Sequence, residues 1–399
     1  MTETFTGSFT QQEPIPQAGI EAAMAVLNHG RLHRYNTHGD EIAETALLEE
    51  EFAALTGAKY CLAVASGGYA MTTALRACGV GHGDRVLTNA FTLAPVPGAI
   101  AAVGATPVFV GVTDNLLIDL DDLAAKLDQA QVLLLSHMRG HICDMEALMA
   151  LCDAAGVTVI EDCAHTMGAH WNGTPSGRWG KFGCYSTQTY KHVNSGEGGL
   201  LIGDDAEAMA RAIMLSGSYM LFERHRAAPP PETFAQIKYE TPNISGRMDN
   251  LRAAILRPQL ADLQTQCDRW NALYRVVEGG LRDTPGLTLT HRPAAEGFVA
   301  SSFQFLLLDW PAEAVQRVIQ GCFRRGVELK WFGGSEPAGF TSRYDSWRYA
   351  APDPLPQSDR ILAGIIDMRL PLTFTPEDCA LIARIIRDEV EKAFSTRQS

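Results

Sequence analysis

Residues 60–79 read "YCLAVASGGYAMTTALRACG" and divide into three parts. The first six residues are apolar and favour a strand, the next three form a Ser-Gly-Gly turn, and the rest carries apolar residues at helical spacing. This order predicts one strand–helix unit of a parallel sheet, because parallel strands need a crossover between them. A glycine turn at a helix start also leaves free backbone N–H groups, which can bind an anion.

The same alternation continues along the chain. Four more apolar runs predict strands at residues 85–89, 106–112, 131–136 and 157–162. Helical spacing predicts helices at residues 40–56, 69–78, 94–103, 120–129 and 144–155. We therefore predict an α/β fold with a mostly parallel sheet and helices on both faces. In such sheets, ligands bind at the carboxyl ends of the strands, so the residues at those ends are the candidates for function.

The second half of the chain has a different pattern. A proline-rich stretch at residues 226–243 interrupts the alternation, and a long helical segment follows at 245–281. The remaining residues predict a smaller α+β unit. We therefore expect a large domain over residues 1–255 and a small C-terminal domain over residues 256–399, with the boundary inside or beside the long helical segment.

Composition and charge exclude several classes of function. The net charge of −13 makes the chain a poor binder of polyanions, so we expect neither nucleic acid nor a membrane surface as a partner. The nine cysteines are scattered, with no CxxC pair or zinc-type cluster, which favours reduced thiols and no bound metal. The polar N-terminal segment shows no secretory signal, and no apolar run approaches the ~20 residues of a membrane span. These features predict a cytoplasmic protein.

Two polar side chains lie in and just after the last of these predicted strands, in the stretch "VIEDCAHTMGAHW" at residues 159–171. A carboxylate such as Asp162 at the end of a buried strand is costly unless it meets a cation or hydrogen-bond donors. Taken alone, this motif is equally consistent with a cap for the next turn. His165 follows three residues later. His137, at the end of the preceding strand, is better explained as a core or loop histidine.

A single lysine, Lys191, lies in the polar, glycine-rich stretch "STQTYKHVNSGEGG" at residues 186–199. A surface loop is the plain explanation, but a lysine held in a cleft can form a Schiff base. An anion site, an aspartate, a histidine and a lysine at one sheet edge together match pyridoxal 5′-phosphate (PLP). This cofactor has a phosphate, a pyridine nitrogen that must stay protonated and an aldehyde that a lysine captures.

Several of these motifs resemble the DegT-type sugar aminotransferases, which are PLP-dependent and have the aspartate aminotransferase fold. The resemblance covers roughly residues 25–395 and rests on "ASGGYAMTTAL", "HMRGHICDM", "VIEDCAHTMGA", "STQTYKHVNSGEGG", "SGRMDNLRAAI" and "LPLTFTPED". It implies that Lys191 forms the Schiff base, that Asp162 pairs with the pyridine nitrogen, and that His165 contacts the side of the ring.

The resemblance also implies how the phosphate is bound. Gly67 and Gly68 would supply backbone N–H groups, and Ser186 would supply a hydroxyl. The family commonly has threonine where this chain has Gly68, so one hydroxyl contact is missing.

Two further departures concern the ring and the partner subunit. Leu93 aligns with the aromatic residue that usually stacks on the cofactor ring, so either Phe91 takes over or the ring lies on an aliphatic face. Ser245 replaces the asparagine that reaches the neighbouring subunit's phosphate, and Asn243 is the candidate substitute. We therefore expect a homodimer with shared active sites.

The resemblance implies an aminotransferase in a biosynthetic pathway. It would move an amino group from glutamate or glutamine to a keto-sugar, cyclitol ketone or related small polar carbonyl compound. One alternative is a transaminase of a non-sugar ketone or aldehyde in specialised metabolism, and another is a non-catalytic regulatory relative. Relatives that dehydrate deoxysugars carry histidine at the lysine position, so Lys191 argues against dehydration.

Overall fold

The computed structural model describes residues 3–398 of the chain, and its strands form three sheets. The strands are β1 (Tyr60–Val64), β2 (Arg85–Asn89), β3 (Thr106–Val110), β4 (Val132–Ser136), β5 (Thr158–Asp162), β6 (His170–Trp171), β7 (Thr174–Pro175), β8 (Phe182–Ser186), β9 (Gly199–Gly203), β10 (Thr288–Leu289), β11 (Glu296–Gly297), β12 (Ser302–Leu306), β13 (Lys330–Trp331) and β14 (Ile365–Arg369).

The α-helices surround these sheets. They are α1 (Gln17–His29), α2 (Glu44–Thr56), α3 (Gly67–Ala77), α4 (Pro95–Ala102), α5 (Leu120–Lys126), α6 (Met145–Ala155), α7 (Ala206–Leu215), α8 (Phe234–Glu240), α9 (Asn250–Ala261), α10 (Leu263–Leu281), α11 (Ala312–Arg324), α12 (Pro356–Gly364) and α13 (Pro376–Gln398). Short 3-10 helices lie at Leu127–Gln129, Met138–Gly140, Phe222–Arg224, Pro231–Thr233 and Tyr344–Ser346. Within the described range, none of these helices is both long and apolar enough to cross a bilayer.

The central sheet has seven strands in the order β1-β9-β8-β5-β4-β2-β3. The neighbours from β8 to β3 are parallel, and only β9 runs antiparallel to β1 and β8 on either side of it. This arrangement confirms the predicted α/β fold with a mostly parallel sheet. The five predicted strands are all present, whereas β8 and β9 were not predicted as strands.

Both faces of the central sheet are buried. In β4, Leu133 and Leu135 pack into one apolar cluster, and Val132 and Leu134 pack into a second cluster on the other face. Because a strand covered on both sides needs apolar residues at every position, β4 reads as a continuous apolar run. Because both faces are packed, the strands are held in fixed positions. The polar residues at the strand ends are therefore held in fixed positions as well.

The long helical segment is two helices rather than one. Residues 245–249 are not helical, Asp249 caps the start of α9, and α9 ends before α10 at Asp262. Helix α9 packs against α1 and α2, whereas α10 packs against α13. The four-stranded sheet β10-β12-β14-β13 lies in the C-terminal part of the chain and is antiparallel. The predicted domain boundary between residues 255 and 256 falls inside α9. The division of the chain into two domains stays a prediction.

Candidate active site

A cavity of about 440 Å³ lies at the carboxyl ends of the central strands. Most of the predicted site residues lie on its wall, namely Gly67, Gly68, Asp162, His165, Ser186 and Lys191. They come from the ends of β5 and β8, the start of α3 and the loops between these elements. The topology therefore brings together groups that are far apart in the sequence.

The ε-amine of Lys191 and the imidazole of His165 are in direct contact. The Nζ atom of Lys191 lies 2.8 Å from Nε2 of His165. The backbone N–H of Arg139 donates to Nδ1 of the same ring at 3.3 Å. A neutral histidine that accepts at Nδ1 carries its proton on Nε2, so His165 donates to Lys191 and the amine accepts.

Electrostatics favour the neutral forms of both groups. Burial, with the positive charges of Lys191 and Arg139, lowers the pKa of His165 well below its usual value. Burial also lowers the pKa of Lys191 to about 7, helped by Arg139 and Arg369 and opposed by Asp162. With such a pKa, a substantial fraction of the lysine is a free amine at neutral pH, and the free amine is the nucleophilic form.

The loop between β8 and β9 holds Lys191 in place. Its two ends are joined by a hydrogen bond from the backbone N–H of Thr187 to the carbonyl of Gly198, 2.9 Å long. The φ angle of Gly198 is 149°, and a Cβ atom there would lie 2.3 Å from Oγ1 of Thr187. Glycine is therefore required at this position, which explains part of the glycine-rich pattern around the lysine.

Asp162 ends β5 with both carboxylate oxygens bonded. The hydroxyl of Ser136 donates to Oδ2 at 3.0 Å, and the backbone N–H of Ala164 donates to Oδ1 at 3.1 Å. Thr92 in turn donates to the Ser136 hydroxyl at 2.9 Å. Burial raises the pKa of Asp162, against the lowering effect of the Ala164 N–H and Lys191. A cation beside this carboxylate would restore its charge, and a protonated pyridine nitrogen fits that requirement.

The start of α3 is the predicted anion site. Ser66 caps the helix by accepting from the backbone N–H of Tyr69 at 3.1 Å, and the first N–H groups of the helix have no partner within it. A Cβ atom at Gly67 would lie 2.8 Å from Cβ of Ser186. Glycine thus allows the end of β8 to approach the helix start, and a cradle of N–H and hydroxyl groups of this kind fits a phosphate.

The structure places Phe91 away from the cavity. Its side chain is 1% exposed and packs edge-on against Phe332, with 5.1 Å between the ring centroids. Leu93 is on the cavity wall instead. Of the two alternatives for contact with the cofactor ring, an aliphatic surface that includes Leu93 is therefore favoured over Phe91.

Asn243 does not line the cavity either. It lies in an exposed segment between α8 and α9. Its predicted contact is with a partner subunit's phosphate, so this role stays a prediction. Nearby, Arg247 donates to the carbonyl of Gly217 at 2.8 Å and lies over the ring of Tyr219.

His137 is a core histidine. Its Nε2 atom lies 2.9 Å from the Glu161 carboxylate, and both side chains are buried. The same carboxylate accepts backbone N–H groups of Gly177, Trp179 and Gly180, each at 2.8 Å. Glu161 therefore ties the chain after β7 to β5 and does not face the cavity.

Several residues on the cavity wall were not predicted. They include Arg139, Tyr190, Trp270 and Arg369. Arg139 stands three residues after the end of β4 in a left-handed conformation, with φ of 56°. Arg369 comes from the end of β14 in the second half of the chain. The only sequence signal for Arg369 is its place directly before the "LPLTFTPED" motif.

Several known aminotransferases and related enzymes are similar to this chain. L-glutamine:2-deoxy-scyllo-inosose aminotransferase from Streptomyces lividus is 31% identical over 277 residues, which are 68% of this chain and 64% of that protein. 3-Amino-5-hydroxybenzoate synthase from Amycolatopsis mediterranei is 32% identical over 246 residues, which are 60% of each chain. The chain thus spans less than two thirds of the length of these two relatives.

The fold comparison extends further along the chain. A crystal structure of 3-amino-5-hydroxybenzoic acid synthase has a TM-score of 0.82 and 25% identity, and the match covers 96% of this chain and 99% of that one. The sequence profile of the DegT/DnrJ/EryC1/StrS aminotransferase family matches residues 16–387. The chain therefore belongs to the DegT/DnrJ/EryC1/StrS aminotransferase family.

Proposed function

We propose that this protein is an aminotransferase that moves an amino group from glutamate or glutamine to a keto-sugar, cyclitol ketone or related small polar carbonyl compound. The observation that carries the proposal is the position of the Lys191 amine, which lies 2.8 Å from His165 on the same cavity wall as Asp162. Aminotransferases of this family depend on PLP, which when bound supplies an aldehyde and an electron-accepting ring.

Each residue has a distinct task in this proposal. Lys191 would hold the cofactor as a Schiff base and, once released, move a proton at the reacting carbon of the substrate. His165 orients the lysine amine through its hydrogen bond. Asp162, itself held by Ser136 and the Ala164 N–H, would keep the pyridine nitrogen protonated. The Gly67–Gly68 turn and Ser186 would bind the phosphate.

The proposed substrates come from two sources. The names of the relatives include a glutamine-dependent aminotransferase of a cyclitol ketone and an enzyme that makes an aminohydroxybenzoate. The cavity wall also includes polar side chains, such as Gln12, Gln188 and Ser302, which suits a small polar acceptor. A transaminase of a non-sugar carbonyl compound remains the second candidate, favoured by the likeness to the aminohydroxybenzoate synthase.

The proposal includes a homodimer in the cytoplasm. An apolar stripe on α1 supports the dimer, because Ile20, Met24 and Leu27 are 44%, 51% and 50% exposed on one helix face. Side chains of this size in a row on one face are typical of a surface that another protein covers.

Reduction with borohydride followed by peptide mass analysis tests the core of the proposal. Purified protein loaded with PLP should be yellow, and reduction should fix the cofactor mass on Lys191. Lys191→Ala should lose this label and all amino transfer. Lys181→Ala is the matched control, because Lys181 is a surface lysine paired with Asp205. A label on another lysine, or activity in Lys191→Ala, would refute the assignment. Amino donors and ketones can then be screened by product mass.

A further inference from the structure

A second cavity, of about 90 Å³, adjoins the cavity of the candidate active site. The two cavities share three wall residues, namely Gln12, Lys191 and Trp270. The second cavity also has polar wall residues that the first one lacks, and these are Glu13, Asn194, Gln259, Asp262 and Gln266. Two of them, Glu13 and Asp262, are exposed. The second cavity therefore reaches from the protein surface to Lys191.

Hydrogen bonds hold the wall of the second cavity in place. The side-chain amide of Gln259 accepts the backbone N–H of Asn194 and donates to the carbonyl of the same residue, each at 2.9 Å. At the surface, Glu13 pairs with Arg269 at 2.7 Å. The N-terminal segment and the loop after Lys191 are thus both fixed to the helices α9 and α10, so the cavity has a defined shape.

His192 contributes a buried imidazole to this wall. The residue is 6% exposed, and its ring packs edge-on against Trp270, with 5.1 Å between the ring centroids. Among residues 3–398, neither ring nitrogen of His192 has a hydrogen-bond partner. A polar ring that is buried without partners costs free energy. Phenylalanine would pack against Trp270 without that cost, so packing alone does not explain a histidine here.

The protonation state of His192 suits a contact with water. Burial, with the positive charge of Lys191, lowers the pKa of His192 to about 3. The ring is therefore neutral near pH 7, with one N–H donor and one acceptor nitrogen. A neutral imidazole of this kind can accept a hydrogen bond from one water molecule and donate to another.

Water is also the ligand that fits the size of the second cavity. A volume of about 90 Å³ has room for a few water molecules but is small for a substrate. Buried water binds where polar groups would otherwise lack partners. The two ring nitrogens of His192 and the polar side chains of the wall provide such groups.

We propose that the second cavity holds water bound to His192, and that this water exchanges the protons of the Lys191 amine with solvent. The inference rests on the proposed aminotransferase function, in which Lys191 takes a proton from the reacting carbon of the donor and returns one later. Each exchange moves one proton from the amine to water and one proton from water to the amine. Substrate would occupy the first cavity at that stage, and the second cavity reaches the lysine from another side. His192 acts through water and is a positioning residue.

A high-resolution crystal structure of the cofactor-free protein tests the water site without turnover. Water should lie about 2.7–3.2 Å from a ring nitrogen of His192. His192→Phe keeps the packing against Trp270 and has no hydrogen bond to the protein to lose, so it should fold and lack this water. A wild-type structure without water at His192 would overturn the proposal.

Isotope exchange tests the function of this water. Glutamine or glutamate with deuterium at the α-carbon is mixed with the PLP-loaded protein. The measured quantity is the loss of deuterium from the recovered donor, divided by the keto product formed. This ratio should fall about tenfold in His192→Phe, as expected for one lost hydrogen bond. It should fall similarly in Ile15→Phe, which fills the second cavity at a residue that does not line the first one.

Two control variants complete this experiment. His192→Gln keeps a donor and an acceptor and should stay within about threefold of the wild-type ratio. His82→Phe, at an exposed histidine outside both cavities, should behave as the wild type.

The outcomes separate the possible roles of His192. A purely structural role would slow exchange and product formation together and leave their ratio unchanged, which would overturn the inference. Wild-type ratios in both His192→Phe and Ile15→Phe would overturn it as well. If the wild type exchanges the α-proton of the donor in the predicted way but transfers no amino group to a ketone, the inference holds and only the aminotransferase function is refuted.

Discussion

The ε-amine of Lys191 lies 2.8 Å from Nε2 of His165, and the other ring nitrogen of His165 accepts the backbone N–H of Arg139. Because Nδ1 is occupied by a donor, the ring proton lies on Nε2 and points at the amine. This contact orients the lysine and requires it to be neutral. It links the protonation state of the site to the conformation of the chain after β4.

Replacing His165 should slow the chemistry without removing the cofactor. His165→Phe keeps a ring of similar size but loses the hydrogen bond to Lys191, which contributes about 0.5–1.5 kcal/mol. We expect the donor half-reaction to slow by roughly 3- to 10-fold from this loss alone, with PLP still reducible onto Lys191. Single-turnover absorbance measures the rate. His38→Phe, at a histidine outside the cavity, should behave as the wild type, and an unaffected rate in His165→Phe would contradict the orienting role.

The low pKa of Lys191 predicts how cofactor loading depends on pH. Burial, with Arg139 and Arg369, lowers this pKa to about 7, so the amine is protonated below that pH and free above it. The rate of PLP loading into cofactor-free protein should rise about tenfold per pH unit up to ~7 and then level off. Stopped-flow absorbance gives the profile.

Removing one positive neighbour provides the control for this profile. In Arg369→Gln, one of the charges that lower the Lys191 pKa is lost, so the midpoint should move to higher pH. A wild-type rate that still rises up to pH ~10, the ordinary range of lysine, would show that the amine is not perturbed.

Much of the fold could be predicted because the signals were local. The strand at 85–89 was predicted with the bounds that the structure has, since its apolar run is buried on both faces. Strands β8 and β9 were missed because glycines at Gly183, Gly199 and Gly203 weaken their strand pattern. Their glycines are needed for close packing, as at Gly183, where a Cβ atom would lie 2.6 Å from Gly177.

The functional site was predictable only in part, because some of its residues have a local signal in the sequence and others do not. Asp162, His165 and Lys191 follow strands or lie in marked loops, so their context in the sequence indicated chemistry. Arg369 has no such context, because only the fold brings the end of β14 to the cavity wall that also carries Lys191. Phe91 was one of two alternatives for the ring contact because it lies two residues from Leu93, but its direction depends on the packing of Phe332, which comes from a distant segment.

Two adjacent glycines provide a matched pair for the phosphate cradle. A Cβ atom at Gly67 would meet Cβ of Ser186 at 2.8 Å, whereas one at Gly68 would meet only the Ser66 hydroxyl at 3.9 Å. Gly67→Ala should therefore destabilise the cofactor-free protein by about 1–3 kcal/mol and weaken PLP binding. Gly68→Ala should be neutral or stabilise it by up to about 1 kcal/mol, as alanine does in a helix. Thermal unfolding of both cofactor-free variants measures these changes in stability. Equal losses of stability in the two variants would contradict the close approach of Ser186.

Mixing two inactive variants tests the shared active site. Lys191→Ala lacks the reacting amine, and Asn243→Ala would lack the contact to the partner's phosphate. If Asn243 acts across the interface, mixed dimers contain one intact site, and an equimolar mixture should recover about a quarter of wild-type activity. If Asn243 acts within its own chain, both sites of the mixed dimer are defective and nothing is recovered. Sedimentation must show dimers in every sample for the comparison to hold.

Asp162 should control the rate of proton removal from the donor rather than the binding of the cofactor. Its carboxylate is buried, its pKa is raised by that burial, and it has the Ser136 hydroxyl and the Ala164 N–H as fixed partners. A protonated ring nitrogen is the cation that this environment needs. Asp162→Asn keeps the shape and the hydrogen-bonding capacity but cannot stabilise that positive charge.

We therefore expect Asp162→Asn to load PLP, because Lys191 and the phosphate cradle are intact, and to slow the donor half-reaction by roughly 10- to 150-fold. Single-turnover absorbance with excess amino donor measures this rate, and borohydride reduction confirms loading. Ser136→Ala removes one of the two donors to the carboxylate and should have a smaller effect, since the charge stays. A variant Asp162→Asn with the wild-type rate would mean that Asp162 serves only the turn at Ala164, and that the ring nitrogen has another partner.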